Sequence, residues 1–149
     1  MKIVVGCDHG GYPLRDAVFE AIRETGHEAI DLGISEYKPV DYPDYAAKAS
    51  ELLLAGKADR AVLMCGSGIG ICISANKIKG VYAGLCHDTY SARQGVEHDE
   101  INALCMGGLV IGRELAKEIV KAYLRAEPDG LENHVRRVKK FKRLESGEG

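Results

Sequence analysis

Five short apolar runs, each followed by a stretch with helical spacing, alternate along this 149-residue chain, and that alternation limits what it can fold into. The runs are Lys2 to Gly6, Glu28 to Leu32, Arg60 to Met64, Val81 to Leu85 and Asn102 to Met106. Strands that alternate with helices pair in parallel, because each helical crossover returns the chain to the same edge, and the helices cover both faces of the sheet. Leu14, Val18 and Ile22 fall at helical spacing behind Pro13, and Asp41-Tyr42-Pro43 reads as a capped start for a helix over Tyr45 to Ala55. Further helices are expected over Gly70 to Asn76, Thr89 to Gly95, Arg113 to Leu124 and Leu131 to Leu144. The expectation is an α/β fold: a single-domain, Rossmann-like three-layer sandwich with a parallel sheet of about five strands and a C-terminal helix. Residues 1–149 suffice for one domain, with a flexible tail from residue 145.

Composition removes whole classes of function. With 46% hydrophobic and 28% charged residues the chain is ordinary globular material, which excludes intrinsic disorder, collagen and coiled coil. Twenty Lys plus Arg against 22 Asp plus Glu give a net charge of −2, so no overall field attracts nucleic acid or acidic membranes. No apolar run approaches the ~18 residues of a membrane span, and Met1-Lys2-Ile3-Val4-Val5-Gly6 enters a strand at once. A cytoplasmic protein without nucleic-acid or membrane partners is expected. Cys7, Cys65, Cys72, Cys86 and Cys105 are widely spaced, odd in number and form no C-x-x-C pair, so they are expected to be reduced thiols, with neither a disulfide framework nor a metal site. No cofactor is expected.

Ligands of a parallel α/β sheet bind outside the carboxyl ends of its strands, at the point where the strand order reverses. The residues there carry chemistry. The first strand is followed by Cys7-Asp8-His9-Gly10-Gly11, the third by Cys65-Gly66-Ser67-Gly68-Ile69-Gly70 and the fourth by Cys86-His87-Asp88. Asp or Ser after a strand often only caps the next helix, and for Asp8 that reading stands beside a functional one. The glycine-rich turn can aim several backbone N–H groups at one anion, aided by the helix N-terminus behind it. It is neither the dinucleotide fingerprint, since Ile71 occupies the last glycine position, nor a P-loop, since the Lys-Ser/Thr pair is missing. The same N–H groups would stabilise a thiolate at Cys65 and fit it as base or nucleophile; the alternative is a small buried strand residue, the reading expected for Cys7, Cys72, Cys86 and Cys105. His98, in the polar stretch Val96 to Asn102, is either exposed or functional. His9 and His134 are similarly polar in context, whereas His27 belongs to a surface turn. The segment His134 to Arg143 is basic while Leu131, Val135, Val138, Phe141 and Leu144 keep helical spacing, which gives a solvated face over an apolar stripe, with one or two cations available for a phosphate.

Four ordered motifs now carry a resemblance. Gly6-Cys7-Asp8-His9-Gly10-Gly11, Asp41-Tyr42-Pro43-Asp44-Tyr45-Ala46, Cys65 to Gly70 with Ala75-Asn76-Lys77, and Glu97-His98-Asp99 with Asn102 together resemble ribose-5-phosphate isomerase type B, a family that includes allose- and galactose-6-phosphate isomerases. The resemblance implies metal-independent interconversion of ribose 5-phosphate and ribulose 5-phosphate through a cis-enediolate. It implies Cys65 as the proton-transfer base, Ser67 with the backbone of Gly66, Gly68, Ile69 and Gly70 as the anion hole, and His98 with Asp8 as the ring opener. His9, Tyr42, Asp99, His134 and Arg137 are implied in binding the sugar phosphate. One branch of the family places a glutamate at the position of Ile71 instead of the cysteine; this chain resembles the cysteine branch. Many members carry arginine where this chain has Leu109 and Asn133, which leaves His9, His134 and Arg137, with Arg136 and Arg113 as substitutes, for the phosphate. The resemblance also implies a homodimer or dimer of dimers with shared active sites. The competing expectations are a hexose-6-phosphate isomerase, a nucleotide-binding regulatory module, and a thiol redox protein pairing Cys65 with Cys72.

Overall fold

Period-two alternation within the central strands decides the layers. In β1 (Lys2–Cys7) Ile3, Val5 and Cys7 enter one apolar core and Val4 the other, all fully buried. A strand apolar on both faces can only sit inside a covered sheet. The computed structural model, which describes residues 1–34 and 36–147, has β2 (Glu28–Asp31), β3 (Arg60–Cys65), β4 (Ala83–Leu85) and β5 (Ala103–Gly107) beside β1 in the order β2-β1-β3-β5-β4, every pair parallel. On one face α1 (Arg15–Glu24), α4 (Thr89–Asp99) and α5 (Arg113–Arg125) pack Val18, Ile22, Val96 and Ile119 against Val62, Met64, Leu104 and Met106. On the other, α2 (Tyr42–Leu54) and α3 (Ile69–Asn76) pack Ala46, Ala49, Ile71 and Ala75 against Val4, Leu63 and Cys105. A final helix, α6 (Glu132–Glu145), lies on α4. The expected α/β sandwich with five parallel strands is therefore the fold. Among the described residues no helix is long and apolar enough to cross a membrane.

The boundaries that differ have local causes. Helix α2 begins at Tyr42, three residues before the expected Tyr45, because Pro43 in its first turn brings a preset φ and surrenders no hydrogen bond. Helix α4 passes the expected stop at Gly95 and runs to Asp99, ending where Glu100 adopts a left-handed φ of 54°. Gly95 serves packing: a Cβ there would stand 2.9 Å from Ile101 Cδ1, so the missing side chain lets Ile101 fold back onto the helix. Strand β4 starts at Ala83 and not Val81: Asn102 takes the N–H of Tyr82 on Oδ1 at 2.8 Å and donates its amide to Gly80 O at 2.9 Å, beside backbone bonds from Asn102 and Ala103 N–H to Tyr82 O. The tail expected from residue 145 concerns, at 148 and 149, positions outside the described residues; Glu145 itself closes α6 and accepts from Gly80 N–H at 2.8 Å and Tyr82 O–H at 3.0 Å.

The order reverses at β1, whose neighbours are β2 on one side and β3 on the other, so the loops after β1 and β3 meet over the carboxyl edge. They meet backbone to backbone. A Cβ on Gly10 would lie 2.6 Å from Gly66 N, and one on Gly108, after β5, 2.1 Å from Gly10 O. Gly108→Ala is therefore expected to lower stability by about 1–3 kcal/mol or more through overpacking. Gly112→Ala, with nothing within 4 Å of its Cβ, should change it little. Equal denaturation midpoints for the two variants would contradict this nesting.

Candidate active site

The end of β3 delivers Cys65 to the mouth of the glycine-rich turn, where it is 4% exposed. Gly68, left-handed at φ 79°, reverses the chain so that its N–H donates to Cys65 Sγ at 3.2 Å. A hydrogen bond from an amide strengthens when the sulfur carries charge. Ser67 is exposed, and its Oγ accepts from Ile69 N–H at 3.2 Å. Two of the N–H groups expected to face an anion are thus turned onto Cys65 and Ser67.

Asp8, 5% exposed, sits opposite at the end of β1. Its Oδ1 accepts from Gly11 N–H at 3.0 Å, so the side chain folds its own loop and does not cap α1, which starts at Arg15 behind a 3-10 turn over Tyr12–Leu14. His9 Nδ1 accepts from Val40 N–H at 3.4 Å, and the ring meets Tyr37 edge-on at 6.2 Å. Tyr42 opens α2 with its ring against Gly70, where a Cβ would stand 2.5 Å from Tyr42 Cζ. Asp8, His9, Tyr42, Cys65, Ser67 and Leu109 line one cleft of about 650 Å³, together with Gly66, Ile69, Gly70, Tyr37 and Asp41. Asp41 corrects an expectation: it precedes α2 as a cap residue would, but its side chain makes no capping bond and borders the cleft. Only the packing of the α2 start against the two loops reveals that. A larger hollow of about 890 Å³ lies at the opposite edge among Lys2, Glu28, Lys57 and Asp59, without a histidine or thiol.

His98, Asp99, His134 and Arg137 do not line the cleft. In a parallel α/β sheet each helix runs back along the strands, so the end of α4 lies at the amino edge, next to the start of β5. Cys65 pairs with Gly107 at the other end of β5, which separates the two levels by at least ~13 Å at about 3.3 Å per residue. His98 stacks on His134, with ring centroids 3.8 Å apart and planes 21° from parallel. Between them Asp129 accepts from His134 Nδ1 at 2.8 Å and stands 3.6 Å from His98 Nε2. The N–H of Leu131, and next the two histidines, hold the Asp129 carboxyl below its ordinary range. Gln94 Nε2 lies 2.9 Å from His98 Nδ1. The ligand atoms of His98, Asp129 and His134 fall within 4.8 Å of one another, the spacing a divalent ion needs, although the hydrogen bond to His134 already occupies the carboxylate. No motif surrounds Asp129 in the sequence, so nothing local marks it; Arg137 and Arg136 are exposed on α6.

The family comparison now bears on this geometry. Residues 3–141 match the family model described as Ribose/Galactose Isomerase. The chain belongs to that family. It is 40% identical over 144 residues to ribose-5-phosphate isomerase B of Escherichia coli strain K12, covering 97% of this chain and 96% of the relative. It is 37% identical over 134 residues to D-erythrulose-4-phosphate isomerase of Pectobacterium atrosepticum, covering 87% and 86%. The solved ribose-5-phosphate isomerase B of Clostridium thermocellum superposes with a TM-score of 0.94 at 40% identity and 100% coverage of both chains. Family membership makes the chain a sugar-phosphate isomerase of the aldose–ketose type and removes the regulatory-module and redox expectations. The hydrogen-bond partner of the Cys72 thiol is moreover Cys105 and not Cys65.

The remaining thiols divide sharply. Burial pushes Cys7 and Cys86 up to about 11, and the neighbouring Cys72 thiol together with burial raises Cys105 well above the ordinary thiol range. Half-buried Cys72 packs against the core as expected but ionises differently: its hydrogen bond with Cys105, offset by burial and aided by Asn76, brings it down to about 7. A thiolate is the reacting species, so labelling by a limiting alkylating reagent should rise as pH passes through about 7 at Cys72 while Cys7, Cys86 and Cys105 stay unlabelled. Peptide mass spectrometry reads this, and earlier modification of Cys7 or Cys86 would contradict it.

Proposed function

We propose that this isomerase interconverts ribose 5-phosphate and ribulose 5-phosphate at sites shared between two copies of the chain, as a cytoplasmic homodimer or dimer of dimers. Cys65 is the base. As a thiolate it takes the proton from carbon 2 of the opened aldose and returns it to carbon 1, and the cis-enediolate between these steps carries charge on its oxygens. Ser67 and the free N–H groups of the turn from Gly66 to Gly70 face that charge, where fixed dipoles lower the barrier because they need no reorganisation. Asp8, Tyr42 and His9 surround the sugar. The observation that carries the reading is Cys65 Sγ receiving Gly68 N–H inside a cleft that Asp8 and Ser67 also line.

The shared site follows from charge. Among the described residues no Lys or Arg lines the cleft, whereas Asp8 and Asp41 do. A phosphate dianion placed there without cations would meet repulsion and lose its hydration. His98, Asp99 and His134, with the cations Arg136 and Arg137, sit at the other level of their own chain, and a second copy related by a two-fold brings them to the cleft; Arg113 opens α5 at the carboxyl edge but does not line the cleft. Exposed apolar side chains support the same contact: Ile69 at 53%, Ile73 at 55% and Leu109 at 83% exposure lie beside the cleft with no cover in one chain.

Across a panel of pentose 5-phosphates and hexose 6-phosphates, turnover should be highest with ribose 5-phosphate. Cys65→Ala should lose it at least a hundredfold with binding nearly intact, because a base acts in the transition state. A preference for a hexose 6-phosphate, or near-normal turnover in the variant, would overturn the assignment.

Arg137→Ala should be impaired by loss of a charge-assisted bond worth roughly 1.5–3 kcal/mol. Mixed with Cys65→Ala, it forms heterodimers in which one site carries both defects and the other neither. Activity should return on mixing; its absence despite demonstrated subunit exchange would exclude the shared site.

A further inference from the structure

Within the turn between α5 and α6, Asp129 ties together the two helices that carry the histidine pair. Asp129 N–H donates to Glu97 O at 3.0 Å, which ties the turn to α4, and Asp129 Oδ1 accepts from Leu131 N–H at 2.9 Å, which ties it to the start of α6. The second oxygen, Oδ2, is thereby aimed at the histidine pair, one member of which comes from each of those helices. With its side chain only 25% exposed, and His134 15% exposed, the contact is shielded from water on most sides.

An ionised carboxylate only accepts hydrogen bonds. The 2.8 Å contact therefore fixes a proton on His134 Nδ1 and leaves Nε2 as the atom that can address a phosphate. Leu131 N–H, which lowers the Asp129 pKa, keeps the carboxyl ionised. His98 is constrained from its other side: Gln94 occupies Nδ1 at 2.9 Å, so Nε2 is the nitrogen left to exchange a proton with the sugar. The two rings stack at 3.8 Å, and their planes are set jointly by Gln94 and Asp129.

We propose that Asp129 is the positioning residue of this imidazole pair, its carboxylate fixing the His134 proton on Nδ1 and holding both rings in the stack that a second copy's cleft receives. This rests on the reading that His98 opens the sugar ring and His134 reads the phosphate. Asp129 itself touches no substrate. It acts as a carboxylate behind an imidazole does, by choosing the tautomer and the ring plane.

The test uses Asp129→Ala and Asp129→Asn in the full chain. Asn retains an acceptor for Leu131 N–H and so serves if the Ala variant fails to fold. The first readout is independent of activity: nitrogen chemical shifts of the histidine rings should report the His134 proton on Nδ1 in the unaltered protein and its move to Nε2 in the variants, with Asn the lesser change. An unaltered tautomer would overturn the inference. The second is kinetic. Asp129→Ala should lower kcat with ribose 5-phosphate about tenfold or more, a part of the 10²–10⁴ that acid–base transfer contributes, and lower kcat with ribulose 5-phosphate, which has no furanose to open, much less. Its KM should rise for both. Equal kcat losses in the two directions, corrected for the equilibrium constant, would mark a purely structural residue and overturn the inference. Failure of the unaltered protein to isomerise either pentose phosphate would instead strike the functional reading, and the ring-nitrogen readout would still decide on Asp129.

Discussion

The backbone at the end of β3 is the support on which the carboxyl edge rests. Met64 O accepts from Asp8 N–H at 3.2 Å and Cys65 O from Gly108 N–H at 2.9 Å, while Gly66 O takes Leu109 N–H at 2.9 Å. One strand end thus binds the loops after both of its neighbours, β1 and β5. Because these are main-chain bonds between glycine-rich loops, the three loops approach more closely than side chains would allow, and the cleft inherits the rigidity of the sheet. The proposed transfer of a proton from one carbon to the next would need that fixity, since a displacement of about 1 Å can cost a hundredfold in rate.

The same strand anchors the turn behind the histidine pair at its opposite end. Arg60, the first residue of β3 and only 8% exposed, donates to Tyr123 O at 2.6 Å and Ala126 O at 2.8 Å, and pairs with Glu127 at 3.4 Å. A buried guanidinium is tolerated only when its donors are satisfied, and here the acceptors are the last carbonyls of α5 and the turn beyond it. Asp129 lies two residues past Glu127. The cleft and the histidine pair are therefore built on the two ends of one strand, which keeps them apart within one chain.

The strand and helix pattern, the parallel sheet and the carboxyl-edge loops were legible in the sequence because each depends on local periodicity and on turn chemistry. Asp8, His9, Cys65 and Ser67 were legible for the same reason: each follows a strand directly, and topology brings such positions together. Strand propensity does not report that the Asn102 side chain bonds Tyr82 and Gly80 just before β5. Glycine alone signals a helix stop at Gly95, because the sequence does not show Ile101 folding over it. The lowered Cys72 thiol is not legible, because its hydrogen bonds involve Cys105 on β5, which is distant in sequence, as well as Asn76.

The sequence by itself determined the fold class, which polar residues follow β1 and β3, and the family, because these reside in contiguous motifs whose meaning is set by short-range geometry. Only the tertiary structure decided that His98 and His134 share Asp129, that Asp41 borders the cleft, and that no Lys or Arg among the described residues lines it. Those facts depend on which helix ends meet across the sheet. Such meetings are settled by how α4, α5 and α6 pack, and packing between distant segments leaves no local trace in the order of residues.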